Sequence, residues 1–161
     1  MFRTTFGCLA AALFLCAAAP HFQGPITGPA TITDGDTLRI GRERIRLFGI
    51  DAPEMSQSCN NDLGRRYACG EAARNALRGH VGSAPITCER INRDQYGRTV
   101  ARCSARGEDL NSWMVANGWA VAYREFTRDY IPAEERAHAA RLGLWRGDFM
   151  LPSRWRRQQG Q

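Results

Sequence analysis

Three short segments concentrate carboxylates, arginines and an aromatic ring at close spacing. The first, Asp34-Gly35-Asp36-Thr37, sets two carboxylates about a glycine. The second, Arg46-Leu47-Phe48-Gly49-Ile50-Asp51-Ala52-Pro53-Glu54, ends in two more, Asp51 and Glu54, with Pro53 restricting the backbone between them. The third, Asp94-Gln95-Tyr96-Gly97-Arg98, puts an arginine close after an aromatic ring. Taken singly, the first and third are ordinary turns and the second a solvated strand end. Together they form a coherent set. Asp36 and Asp51 offer hard anionic oxygens, which suit Ca²⁺ or Mg²⁺. Glu54 is a carboxylate free to orient or deprotonate a water. Arg46 and Arg98 are forked cations that can grip non-bridging phosphate oxygens as charge builds on them. Phosphodiester hydrolysis calls for such a set because its barrier is largely electrostatic repulsion against an anionic substrate.

The flanking sequence predicts what must position these groups. Short strand-like runs cover 30–33, 37–40 and 44–50, separated by Asp34-Gly35-Asp36 and Gly41-Arg42-Glu43. Along the third run Ile45 and Leu47 alternate with Arg44, Arg46 and Phe48, the period of a half-buried strand. Residues 52–70 read as a polar loop, and 86–91 with 99–104 as a hairpin turning near Gln95, Tyr96 and Gly97. Helical patterns follow. Ala72, Ala73, Ala76 and Leu77 share one stripe over 71–81, and Asp109 is placed to cap a helix that Gly118 stops. Pro132 opens a third helix, with Glu134 and Glu135 in its first turn, Arg141 in its last and Gly143 ending it. Five strands with helices inserted and appended predict an α+β protein built on a small Greek-key barrel.

Composition bounds the class. The chain has 161 residues, 43% hydrophobic and 24% charged, which excludes general disorder and fits one domain. Its net charge is +6, and every one of its 22 basic residues is arginine. Arginine recognises phosphate bidentately, although a coding bias towards arginine gives the same composition. Arg3 followed by the uncharged run 6–19 reads as a signal peptide over residues 1–19, too short to span a bilayer comfortably. Export, to the periplasm or beyond, is therefore expected, with an uncleaved anchor as the alternative. A Pro/Gly-rich lead-in over 20–28, one domain over 29–150 and a loose basic tail over 151–161 complete the expected layout.

Beyond the leader an even set of four cysteines remains, Cys59, Cys69, Cys88 and Cys103, with no C-x-x-C spacing to suggest zinc. Four cysteines allow three pairings. Local closure favours Cys59–Cys69 and Cys88–Cys103, the second pair lying opposed across the predicted hairpin.

The order DGDT, RLFGIDAPE, DQYGRTVA resembles the thermonuclease, or staphylococcal nuclease-like, family over about residues 29–147. The resemblance implies a five-stranded OB-fold barrel with three helices and a single Ca²⁺. It implies hydrolysis of DNA and RNA, single strands favoured, at the 5′ P–O bond to leave 3′-phosphate ends, by a monomer. Carried over by motif, Asp36, Asp51 and the main-chain carbonyl of Ala52 would hold the metal, with Asp34 in the outer shell. Glu54 would be the general base, Arg46 and Arg98 the phosphate ligands, and Tyr96 and Tyr123 the aromatic residues that receive the nucleotide. The sequence departs from the family's best-known pattern at Ala52, Gln95 and Arg124-Glu125-Phe126. The alternative from another class is an OB-fold module that binds nucleic acid or an envelope partner without chemistry.

Overall fold

A computed structural model describes residues 24–160. The expected leader over 1–19 and the first part of the lead-in, 20–23, lie outside the described residues. In chain order the elements are β1 (Ile26–Gly28), β2 (Ala30–Ile32), β3 (Thr37–Ile40), β4 (Glu43–Leu47), β5 (Ile50–Asp51), β6 (Ser58–Asn60) and β7 (Arg66–Ala68). Helix α1 (Cys69–Val81) follows, then β8 (Ile86–Arg93), β9 (Thr99–Ala105), β10 (Glu108–Asp109), α2 (Leu110–Ala116) and β11 (Val121–Ala122). The chain continues through α3 (Ile131–Ala139), a 3-10 turn (Gly143–Arg146) and α4 (Pro152–Gln158).

The five expected strands are present as β2, β3, β4, β8 and β9, and the three expected helices as α1, α2 and α3. The main sheet runs β1-β8-β9-β4-β3-β2, with β10 on β9. Its two end strands are neighbours in sequence, joined through Pro29, so one bent segment closes the curl. The segment pairs Ile26 with Cys88 at one end and Ile32 with Leu38 at the other. The pairing of β4 with β9 is parallel, Ile45 opposite Thr99, as an OB-fold barrel requires. Ile45 and Leu47 point into the core as the alternation predicts, meeting Leu38, Ile86, Leu77, Leu110 and Met114. Asp109 caps α2, accepting a hydrogen bond from the Ser112 N–H at 3.0 Å.

Several expectations are corrected. The lead-in contains a strand, β1, because Ile26–Gly28 completes the ladder along β8. The polar loop 52–70 contains a hairpin, β6 with β7, closed by the Cys59–Cys69 disulfide. Helix α3 ends at Ala139, before Arg141 and Gly143, both of which adopt positive φ. The basic tail is not loose. Pro152 occupies the first helical position of α4 and is buried.

The hairpin of β8 and β9 also differs in detail. Cys88 faces Cys103 as expected and the two are bonded. Between Arg90 and Asn92 the register slips by a bulge, so the tip closes Arg93 against Thr99.

Candidate functional site

The site begins where β3 and β4 start and end. Thr37 opposes Arg46 in the antiparallel ladder, which sets Asp36 and Asp51 on either side of the Arg46 guanidinium. Arg46 donates from Nη1 to Asp36 Oδ1 at 2.8 Å and from Nη2 to Asp51 Oδ1 at 3.1 Å. Both carboxylates are almost wholly buried, Asp36 at 4% and Asp51 at 1% exposure. Such burial is tolerable because each oxygen is engaged. Asp36 Oδ1 also accepts from the Thr37 hydroxyl at 3.1 Å, and its Oδ2 from the Ala52 N–H at 3.0 Å.

Asp34 stands behind this pair, its Oδ1 accepting the Asp36 N–H at 2.9 Å. Burial, reinforced by the negative charge of Asp36, pushes the Asp34 carboxyl up to about 7. Burial also pushes Asp51 upward, against the hydrogen bonds and charge of its arginine partners. For Arg46, burial opposes the charged form, but Asp36 and Asp51 outweigh it and keep the guanidinium firmly protonated.

Two glycines let these loops approach. A Cβ on Gly35 would fall 2.6 Å from the Ala52 Cβ and 3.0 Å from the Ala73 Cβ, so the Asp34–Asp36 turn can lie flat on α1. Gly70 does the same for the second acidic loop, with the main chain of Glu54 packed directly against it. Glu54 is half-buried at the rim.

An open cleft of about 1010 Å³ extends from Glu54 and Arg46 towards the β8–β9 tip. Arg98, Tyr96 and Tyr123 all line it. Asp94 builds the tip. Its Oδ1 accepts from the N–H groups of Tyr96 at 3.0 Å and Arg98 at 2.9 Å, and its Oδ2 accepts from Arg98 Nε at 2.7 Å. Burial works against the Asp94 charge, but these bonds prevail and hold its carboxyl below the usual range. The Arg98 guanidinium lies 5.5 Å from the centre of the Tyr96 ring. The structure thus lines one cleft with Arg46, Glu54, Tyr96, Arg98 and Tyr123, and Asp36 and Asp51 join it through Arg46, with Ala52 and Asp34 bonded to Asp36.

The donor set fits a hard divalent cation. Among the described residues no group of three carboxylate, imidazole or thiol side chains converges on one point. A cation here would rest on Asp36 and Asp51 and complete its shell with main-chain oxygen and water, the habit of Ca²⁺ and Mg²⁺. A positively charged group already stands against this acid cluster. Arg156, from α4, donates from Nη1 to Asp51 Oδ1 and to Glu54 Oε1, both at 2.8 Å, and from Nη2 to Asp51 Oδ2 at 3.1 Å. Burial disfavours its charge, but Asp51 and Glu54 hold it protonated.

Arg156 is the principal residue that sequence reasoning missed. Its segment, PSRWRRQ, has no apolar stripe to announce a docked helix. Gln57 was missed too. It is fully buried, accepts the Glu54 N–H at 3.3 Å and donates to the Met150 carbonyl at 2.7 Å, joining the acidic loop to the approach of α4. Phe126, exposed at the cleft edge, stacks edge-on with Tyr123 at 4.8 Å and Phe48 at 6.5 Å. An aromatic residue three after Tyr123 was the available signal.

Residues 44–147 match the family described as "Staphylococcal nuclease homologue". The chain is 38% identical over 145 residues to "Succinoglycan biosynthesis protein ExoI" of Rhizobium meliloti (strain 1021), covering 88% of this chain and 75% of that protein. It is 35% identical over 136 residues to an "Uncharacterized endonuclease" of Haemophilus influenzae, covering 80% and 71% respectively. It is 31% identical over 170 residues to a "Micrococcal nuclease" of Shigella flexneri, covering 92% and 90%.

Proposed function

Because the chain belongs to the family of staphylococcal nuclease homologues, we propose that it is an exported, calcium-dependent nuclease that hydrolyses DNA and RNA at the 5′ P–O bond. One observation carries the reading. Two buried carboxylates clamp Arg46, and beside them Glu54 opens onto a cleft whose far wall presents Arg98 and Tyr96.

The residues divide the work as follows. Asp36 and Asp51, with the Ala52 carbonyl, would hold one Ca²⁺, and Asp34 would support them from behind. Bound there, the ion would neutralise charge on the scissile phosphate and favour attack by water. Arg46 and Arg98 approach the phosphate from two sides of the cleft and stabilise the charge that builds on its non-bridging oxygens. Glu54 takes the proton of the attacking water through its carboxylate oxygen. The water oxygen bonds to phosphorus, the bond to the 5′ oxygen breaks as that oxygen takes up a proton from solvent, and a 5′-hydroxyl and a 3′-phosphate result. Tyr96, Tyr123 and Phe126 give unpaired bases flat partners, which favours single strands.

Export rests on the uncharged N-terminal run and on the two disulfides, which persist in an oxidising compartment. The purified chain is expected to act as a monomer.

The test is hydrolysis of single-stranded DNA with Ca²⁺ and with chelator, beside a Glu54→Gln control. Calcium-dependent cleavage that leaves 3′-phosphate ends and is lost in the control is the expected result. A folded protein that binds DNA in Ca²⁺ without cutting it would instead be a binding module.

A further inference from the structure

The contacts of Arg156 are too specific for a surface arginine at rest. Its guanidinium spans both oxygens of Asp51 and one of Glu54, so it engages one of the two buried carboxylates and the rim carboxylate together. The approach of α4 is built from the same loop. Gln57 links the Glu54 N–H to the Met150 carbonyl, and the Asn60 N–H donates to the Asp148 carbonyl at 2.9 Å. The helix then starts on buried Pro152, and Arg156 lies one turn further on. Two hydrogen bonds thus tie the acidic loop to the segment that leads into the helix.

The three carboxylates Asp36, Asp51 and Glu54 face two guanidiniums, Arg46 and Arg156. Asp51 Oδ1 is shared between Arg46 and Arg156, but Oδ2 is bonded to Arg156 alone, so a divalent cation seated on Asp51 would compete with Arg156 for that oxygen and repel its guanidinium. The two positive groups exclude one another.

We propose that Arg156 is a built-in counter-ion of the acid pair, a latch that a divalent cation must displace from Asp51 and Glu54 before the site is ready to cut. In this role Arg156 is a positioning residue. It holds both acids in place in the metal-free protein and sets the calcium concentration at which they are released. The proposal rests on the calcium reading given above.

Calorimetric titration of the full chain with CaCl₂ at fixed ionic strength tests it, comparing wild type with Arg156→Gln, Arg156→Lys and Asp51→Asn. If the released state is about a tenth of the metal-free population, removing the latch tightens apparent calcium binding about tenfold. Arg156→Gln should show that gain and melt lower in chelator. Arg156→Lys keeps the charge without the fork and should gain a few-fold, and it decides the matter if the Gln variant does not fold. Calcium affinity unchanged or weakened in the folded variants would overturn the latch, since a merely structural arginine predicts no gain. If wild type binds Ca²⁺, Asp51→Asn does not, and the Arg156 variants match wild type, the calcium reading stands and the latch alone falls. If no chain binds Ca²⁺, both fall.

Discussion

Gly70, the second residue of α1, lies so close against the main-chain carbonyl of Glu54 that the space for a Cβ is already filled. The obstacle is backbone, which cannot swing aside as a side chain would. Gly70→Ala should therefore displace the Glu54 loop, costing about 1–3 kcal/mol of stability and reducing kcat by roughly tenfold or more. Gly79 in the same helix has nothing within 4 Å of the corresponding position. Gly79→Ala should leave kcat unchanged and stabilise by about 0.5–1 kcal/mol. Thermal melts and steady-state kinetics on the pair check both signs.

Arg46 reaches Asp36 and Asp51 with separate Nη atoms, a fork that a lysine cannot reproduce. Arg46→Lys should lower kcat/KM on single-stranded DNA by roughly 10²–10³. Turnover near that of wild type would remove Arg46 from the role given it above.

Asp94 should matter to catalysis only through Arg98, which it holds by both main chain and side chain. Asp94→Ala is expected to cost about 1 kcal/mol of stability and to lower kcat about tenfold by loosening the tip. In a double-mutant cycle the loss should vanish once Arg98 is already alanine. Fully additive losses would show that Asp94 acts on something else.

Asp34 gives a pH dependence of definite sign. Its carboxyl rises from the ordinary carboxylate value of 3.8 to about 7 on folding, so between those values the folded chain keeps a proton that the unfolded chain has lost. Stability attributable to Asp34 then falls as pH rises through that window, by at most about 1.4 kcal/mol per pH unit. Urea unfolding in chelator between pH 5 and pH 7.5 should show wild type losing stability relative to Asp34→Asn. A difference that stays flat with pH would contradict the shift.

Much of the fold was legible because its signals are local. The alternation Arg44-Ile45-Arg46-Leu47 named a half-buried strand, and Asp109 named a cap; both hold. The acids and arginines of the site were legible because they fall in three short motifs in a set order, and the cleft gathers Arg46, Glu54 and Arg98 from them. What was not legible depends on distant partners. Ile26–Gly28 is a strand only because β8 offers a free ladder, and the bulge beside Ile91 answers to sheet curvature, not to local composition. Arg156 meets Asp51 across 105 residues of chain. A short helix of arginines carries no periodic signal of where it will dock.

That separation has a consequence in time. Asp51 is made 105 residues before Arg156, so the acids of the site leave the ribosome well before α4 does. While the barrel forms, its acids must either wait with Arg46 alone or accept whatever cation the surroundings supply. On the proposed reading, a chain completed where calcium is scarce receives Arg156 as the first occupant. One that folds after export into calcium meets the metal first, and the helix docks onto a site already filled. Because Arg156 and the ion exchange reversibly, the order of arrival would set only the first occupant of Asp51, and the calcium of the surroundings would set the last.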